Sequence, residues 1–89
     1  MFIMSLKKIV VYSMNPCPYC VTAKQLLKKR GVEFEEIMID YFDEKMWNDL
    51  EIKSGGMKTV PQIYVDNKIL GGLPELQKLD SQDNLLSLK

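Results

Sequence analysis

Ile9-Val10-Val11-Tyr12-Ser13-Met14-Asn15-Pro16-Cys17-Pro18-Tyr19-Cys20 is the stretch that decides how this chain folds. It opens on a β-branched, continuously apolar run, which predicts a strand covered on both faces. It closes on the only two cysteines of the 89 residues, with two residues between them. A helical pattern, Val21 to Arg30, follows directly. A strand that delivers two thiols to the mouth of a helix is a redox device. Cysteines at i and i+3 of a first helical turn share a face, and their α-carbons can reach the separation that a disulfide tolerates. Pro18 suits the first helical position, where its missing N–H costs nothing. Cys17 is then the N-cap, beside unpaired backbone N–H groups and the positive end of the helix dipole. That setting favours thiolate over thiol, so the pKa of Cys17 is expected to be depressed. Cys20 lies one turn deeper. The expected roles are attack by Cys17 and resolution of the mixed disulfide by Cys20.

Two other uses of such a pair carry less weight. A structural bridge closing so short a loop removes little entropy from the unfolded chain. A closed zinc site needs four ligands, and the chain offers two cysteines and no histidine. A metal site shared between two chains stays open.

The length fits one small domain, taken as residues 1–89, whose core does not depend on disulfides. Formal net charge is zero, from 12 basic and 12 acidic residues, which gives no reason to expect nucleic acid as a partner. Met1-Phe2-Ile3-Met4 is too short for a signal peptide, and Lys7-Lys8 follows it rather than preceding it. No stretch has the length of a membrane span. A cytoplasmic monomer is the expectation, in a compartment where a Cys-x-x-Cys pair is more often catalytic than structural.

Outward from the motif, Lys7 to Ser13 reads as a first strand and Pro18 to about Arg30 as a helix with Cys20, Ala23 and Leu27 on its inner side. Gly31 is a plausible residue to end it. Phe34 to Ile39 reads as a second strand, parallel to the first across the helix. Asp43 is a candidate N-cap for a second helix to about Lys53, with Met46, Trp47 and Leu50 inward. Trp47 reads as core rather than as a ligand platform. Gln62 to Val65 and Lys68 to Leu70 flank Asp66-Asn67 as an antiparallel hairpin. Pro74 can open a third helix, and the tail from Asp80 to Lys89 reads as a turn and a last half-helix carrying Leu85, Leu86 and Leu88. The expected class is α/β, in the order β-α-β-α-β-β-α.

That order, with Cys-x-x-Cys after the first strand, resembles the thioredoxin fold, a four-stranded mixed sheet flanked by helices. Cys17-Pro18-Tyr19-Cys20, Thr59-Val60-Pro61-Gln62-Ile63-Tyr64-Val65 and Gly71-Gly72, at these separations, resemble a dithiol glutaredoxin over nearly the whole chain. The resemblance implies glutathione-dependent exchange on protein disulfides and glutathione mixed disulfides, with glutathione as co-substrate, no tightly bound cofactor and no metal. It implies a cis-proline at Pro61 and pairing of the Val60 backbone with the glutathione cysteine, a very small case of strand addition. Tyr19, Lys58, Thr59, Val60, Pro61, Gly72, Leu73 and Glu75 are the implied glutathione contacts.

The chain departs from the family pattern in two places. Met14 stands where many relatives carry a lysine that supports the thiolate, which leaves Lys58 as the remaining candidate cation. Leu73-Pro74-Glu75 follows the double glycine where relatives present acidic or hydroxyl residues, and Pro74 has no N–H to offer. Glu75 either replaces the missing acidic group or serves its own helix terminus. Two alternatives accompany the main reading. One is a redoxin fed by a thioredoxin reductase, which Met14 and Pro74 favour. The other is a module holding an iron–sulfur cluster between two chains through Cys17 and glutathione thiols, against which the bulky Pro18-Tyr19 insert argues.

Overall fold

The structure, a computed structural model, describes residues 8–82. Its elements are β1 (Ile9–Ser13), α1 (Pro18–Lys29), β2 (Glu35–Met38), α2 (Glu44–Ser54), β3 (Gln62–Val65), β4 (Lys68–Gly71) and α3 (Leu73–Ser81). The strands form one sheet in the order β2-β1-β3-β4. β1 and β2 are parallel, whereas β1–β3 and β3–β4 are antiparallel. The expected element order and mixed sheet are both present. Lys7 at the start of the first predicted strand, and the predicted half-helix with Leu85, Leu86 and Leu88, lie outside the described residues.

β1 serves two cores. Ile9, Val11 and Ser13 are buried on one face, and Val10 and Tyr12 are half-buried on the other. The first face packs with Ala23 and Leu27 of α1, Ile63 of β3, and Leu73 and Leu76 of α3. The second face meets Tyr64 and Leu50, with Met46 and Trp47 of α2 packed against them. The continuous apolar run of β1 thus marks a strand covered on both sides. The second cover is thinner, because Leu50 is the one fully buried residue of α2.

The ends of the elements follow local chemistry. Asp43 caps α2, its Oδ1 accepting from the Met46 N–H at 3.1 Å. Gly55 ends that helix with φ +78°, a conformation a side chain would resist. Asp66 and Asn67 both take positive φ, 51° and 71°, which is the two-residue turn whose twist matches a hairpin. α3 begins at Leu73 rather than Pro74, which shifts the proline to the second position. There too its missing N–H would have had no intrahelical partner. Arg30 at the end of α1 pairs with Asp80 of α3 at 2.7 Å. A partly exposed pair of this kind is worth about 0–1 kcal/mol, so the two cores, not the ion pairs, hold the layers together.

Candidate active site

The sheet register brings three loops to one place. Tyr12 pairs with Gln62, so the chain leaving β1 toward Cys17 runs beside the chain entering β3 from Pro61. Ile63 pairs with Gly71, so the start of α3 joins them. Residues far apart in sequence therefore meet at one end of the sheet, where the dithiol stands.

Cys17 and Cys20 are joined by a disulfide, with α-carbons 5.2 Å apart. Cys17 is the N-cap of α1, in extended conformation, and its Sγ accepts from the Cys20 N–H at 3.2 Å. When the bridge is reduced, that donor and the helix dipole both favour a thiolate at Cys17. Cys17 is half-buried and Cys20 is 1% exposed, so only the first sulfur is open to another molecule. Tyr19 stands out between them, 68% exposed.

The second loop carries Lys58, Thr59, Val60 and Pro61. Val60–Pro61 is a cis peptide, as the resemblance implies, and Asn15–Pro16 is a second one. Among the described residues, the Val60 N–H and carbonyl have no hydrogen-bond partner, so this loop offers an open edge for a short extended strand. Lys58 is largely exposed, with its Nζ 3.8 Å from Glu51.

Sequence reading missed what holds this loop. Gln62 is fully buried, and its Nε2 donates to the carbonyls of Met57 at 3.3 Å and Thr59 at 3.1 Å. Its Oε1 accepts from the Tyr64 hydroxyl at 2.8 Å. The amide orientation follows, since a tyrosine hydroxyl donating to Oε1 leaves Nε2 for the loop. Burial, then the neighbouring Tyr12, pushes the Tyr64 hydroxyl above its ordinary pKa, so it remains a neutral donor. The ring is fixed by an edge-to-face contact with Tyr12, centroids 5.4 Å apart, and by Lys53 at 4.6 Å from its centroid. The signal was a glutamine at the first position of an otherwise apolar strand. Gln62→Leu is expected to leave the Thr59 carbonyl and the buried Tyr64 hydroxyl without their partners, while the Met57 carbonyl keeps the Ser54 hydroxyl. The cost is about 1–3 kcal/mol for each group left unsatisfied. Thermal unfolding should show the loss, and Michaelis constants should rise more than turnover falls.

The third loop is Gly71-Gly72 and the start of α3. A Cβ at Gly72 would lie 3.2 Å from the Pro61 carbonyl, so glycine lets this loop press against the proline loop. Glu75 Oε1 accepts from the Gly72 N–H at 2.7 Å. This is half of a capping box, since glycine has no side chain to return the bond. Glu75 thus serves its own helix terminus. It also engages the Gly72 N–H, one of the implied glutathione contacts. Leu73 turns its side chain into the core, at 8% exposed. Its N–H is a donor left open here among the described residues.

No group of three or more metal-ligating side chains occurs among the described residues, and no helix there is long and apolar enough to cross a membrane. A cleft of about 720 Å³ near Lys28 and Phe34 holds no thiol.

A mixed sheet of this order, with a bridged Cys-x-x-Cys pair at the mouth of α1 and a cis-proline at the head of β3, defines a thioredoxin-fold dithiol–disulfide oxidoreductase. The glutaredoxin family model matches residues 9–70. Glutaredoxin 1 of Rickettsia conorii is 42% identical over 80 residues, which are 90% of this chain and 78% of that protein. Glutaredoxin 3 of Escherichia coli K12 is 40% identical over 77 residues, 86% of this chain and 90% of that one. The crystal structure of a buckwheat glutaredoxin–glutathione complex superposes with a TM-score of 0.82 at 24% identity, covering 92% of this chain and 76% of the other, and shows the shared fold. The chain belongs to the glutaredoxin family and is a thiol–disulfide oxidoreductase.

Proposed function

We propose that this protein uses glutathione to reduce protein disulfides and glutathione mixed disulfides, with Cys17 as nucleophile and Cys20 as resolving thiol. The observation that carries the reading is the asymmetry of the bridged pair: one sulfur at the N-cap and open, the other one turn deeper and closed off. The reduced Cys17 thiolate attacks one sulfur of a substrate disulfide. A mixed disulfide forms, and the departing thiolate takes a proton from solvent. With a protein substrate, the Cys20 thiol gives up its proton and attacks Cys17 Sγ. The second substrate thiol leaves, and the Cys17–Cys20 bridge remains. One glutathione thiolate then opens the bridge at Cys17, and a second attacks the glutathione sulfur. Oxidised glutathione departs and both cysteines are regenerated as thiols. The open Val60 edge supports an extended glutathione there, and a complex with glutathione is known for the buckwheat relative. In this reading the protein acts as a cytoplasmic monomer, where the glutathione pool keeps thiols reduced.

A second reading has a specific observation behind it. Gly72 N–H is engaged by Glu75, so one group implied for glutathione is already occupied. A redoxin fed by a thioredoxin reductase would not need it. Reduction of a protein disulfide is to be measured with glutathione and glutathione reductase, and separately with thioredoxin reductase. Faster turnover with glutathione is expected, and turnover with thioredoxin reductase alone would reverse the choice.

The same occupancy predicts a weak grip on the γ-glutamyl end of glutathione. Pro74 supplies no donor and Leu73 no polar side chain. A charge-assisted hydrogen bond is worth about 1.5–3 kcal/mol when formed. Leu73→Thr with Pro74→Asp is therefore expected to lower the Michaelis constant for glutathione by about tenfold or more. Unfolding is to be measured alongside, because Leu73 is buried and Pro74 favours the first turn. Unchanged constants in a folded variant would show that the glutamyl end is held elsewhere.

A further inference from the structure

Beside the Val60 edge runs a groove of about 670 Å³. Met14, Trp47 and Val60 supply its apolar floor, and all three pack on the second core. Its wall is Tyr41 and Phe42, two consecutive aromatic residues that are 68% and 84% exposed. Their rings meet edge to face with centroids 5.1 Å apart. Leaving two large rings in water is costly unless something covers them in use. The turn that carries them is braced. Trp47 Nε1 donates to the Tyr41 carbonyl at 3.2 Å, and Asp40 Oδ1 accepts from the Phe42 N–H at 2.9 Å.

The charges on the groove narrow the choice of occupant. Glu44 and Glu51 line it, and Lys58, its one lysine, is 3.8 Å from Glu51. The balance is negative, so a substrate side chain lying near Glu44 and Glu51 is better apolar or basic than acidic. The groove is also continuous with the strand edge. A polypeptide laid along Val60, with its cysteine at Cys17, sends a neighbouring side chain toward Tyr41 and Phe42.

We propose that this groove selects protein disulfides in which a bulky apolar residue, aromatic above all, flanks the attacked cysteine in a segment free of acidic residues. The inference rests on the exchange reading above and adds the substrate class. A second copy of this chain seated in the groove is an outcome to be tested and not the occupant proposed.

The test uses the reduced full chain and short peptide disulfides whose cysteine is flanked, on either side, by Phe, Lys, Ala or Asp. Bis(2-hydroxyethyl) disulfide, which has nothing to place in the groove, serves as the reference. The expected kcat/KM for the Phe peptides is about tenfold above that for the Asp peptides. In the double variant Tyr41→Ser with Phe42→Ser the ratio is expected to fall below about twofold, while the reference rate holds. Equal rates for Phe and Asp peptides in the parent would overturn the proposal. So would a preference that survives the double variant, or self-association in sedimentation that the double variant abolishes. If no disulfide is reduced, the reference included, the exchange reading fails first.

Discussion

Cys17→Ser is expected to abolish thiol–disulfide exchange with every substrate. A serine hydroxyl is not ionised at neutral pH, and Cys20 at 1% exposed has no path to take over the attack. The loss is one of chemistry and not of fold. Serine is among the preferred N-cap residues, so it can take the backbone bond that Cys17 Sγ now accepts from Cys20. The lost bridge spans only three positions. The chain-entropy model gives so short a loop about 2 kcal/mol, against the roughly 5–15 kcal/mol of a typical domain. Reduction assays with a protein disulfide and with a glutathione mixed disulfide should both fall to background, while the unfolding transition stays cooperative. Substantial residual turnover in that variant would show that the nucleophile lies elsewhere.

Cys20→Ser is expected to divide the two activities. A glutathione mixed disulfide at Cys17 can be cleared by a second glutathione from solution, so deglutathionylation should persist. A protein mixed disulfide has no such quick exit and waits for the internal thiol, so dithiol reduction should fall by about tenfold or more. A serine hydroxyl at a buried position costs about 1–3 kcal/mol if it finds no partner. Cys20→Ala, which buries no polar group, therefore serves as the control for folding. Equal loss of both activities in the two variants would give Cys20 a role beyond resolution.

Much of this was legible in the sequence, and for physical reasons. The β-branched run into Cys17-Pro18-Tyr19-Cys20 fixed a strand, a loop and a helix start at once, because each has its own local chemistry. Asp43 and Asp66-Asn67 marked their cap and turn in the same way. The residue pattern also reached Pro61 and Gly71-Gly72, through family resemblance rather than local propensity. What stayed hidden depends on contacts across the fold. Gln62 looked like any polar residue at a strand start until the register put its amide under Met57 and Thr59. Glu75 was balanced between ligand and cap, and only the fold puts its carboxylate on the Gly72 N–H. Tyr41 and Phe42 sat in a stretch with no periodicity to read, and only their exposure beside Val60 gives them meaning. Trp47 was read as core. It does pack there, and it also floors the groove.

The central claim is that Cys17 exchanges directly with glutathione while Cys20 stays behind it. The most direct measurement is mass spectrometry with fragment mapping of the two single-cysteine variants after exposure to oxidised glutathione. One glutathione is expected on Cys17 in Cys20→Ser, released on adding reduced glutathione, and none on Cys20 in Cys17→Ser. A protein without an adduct at Cys17, or with Cys20 modified as readily, would contradict it.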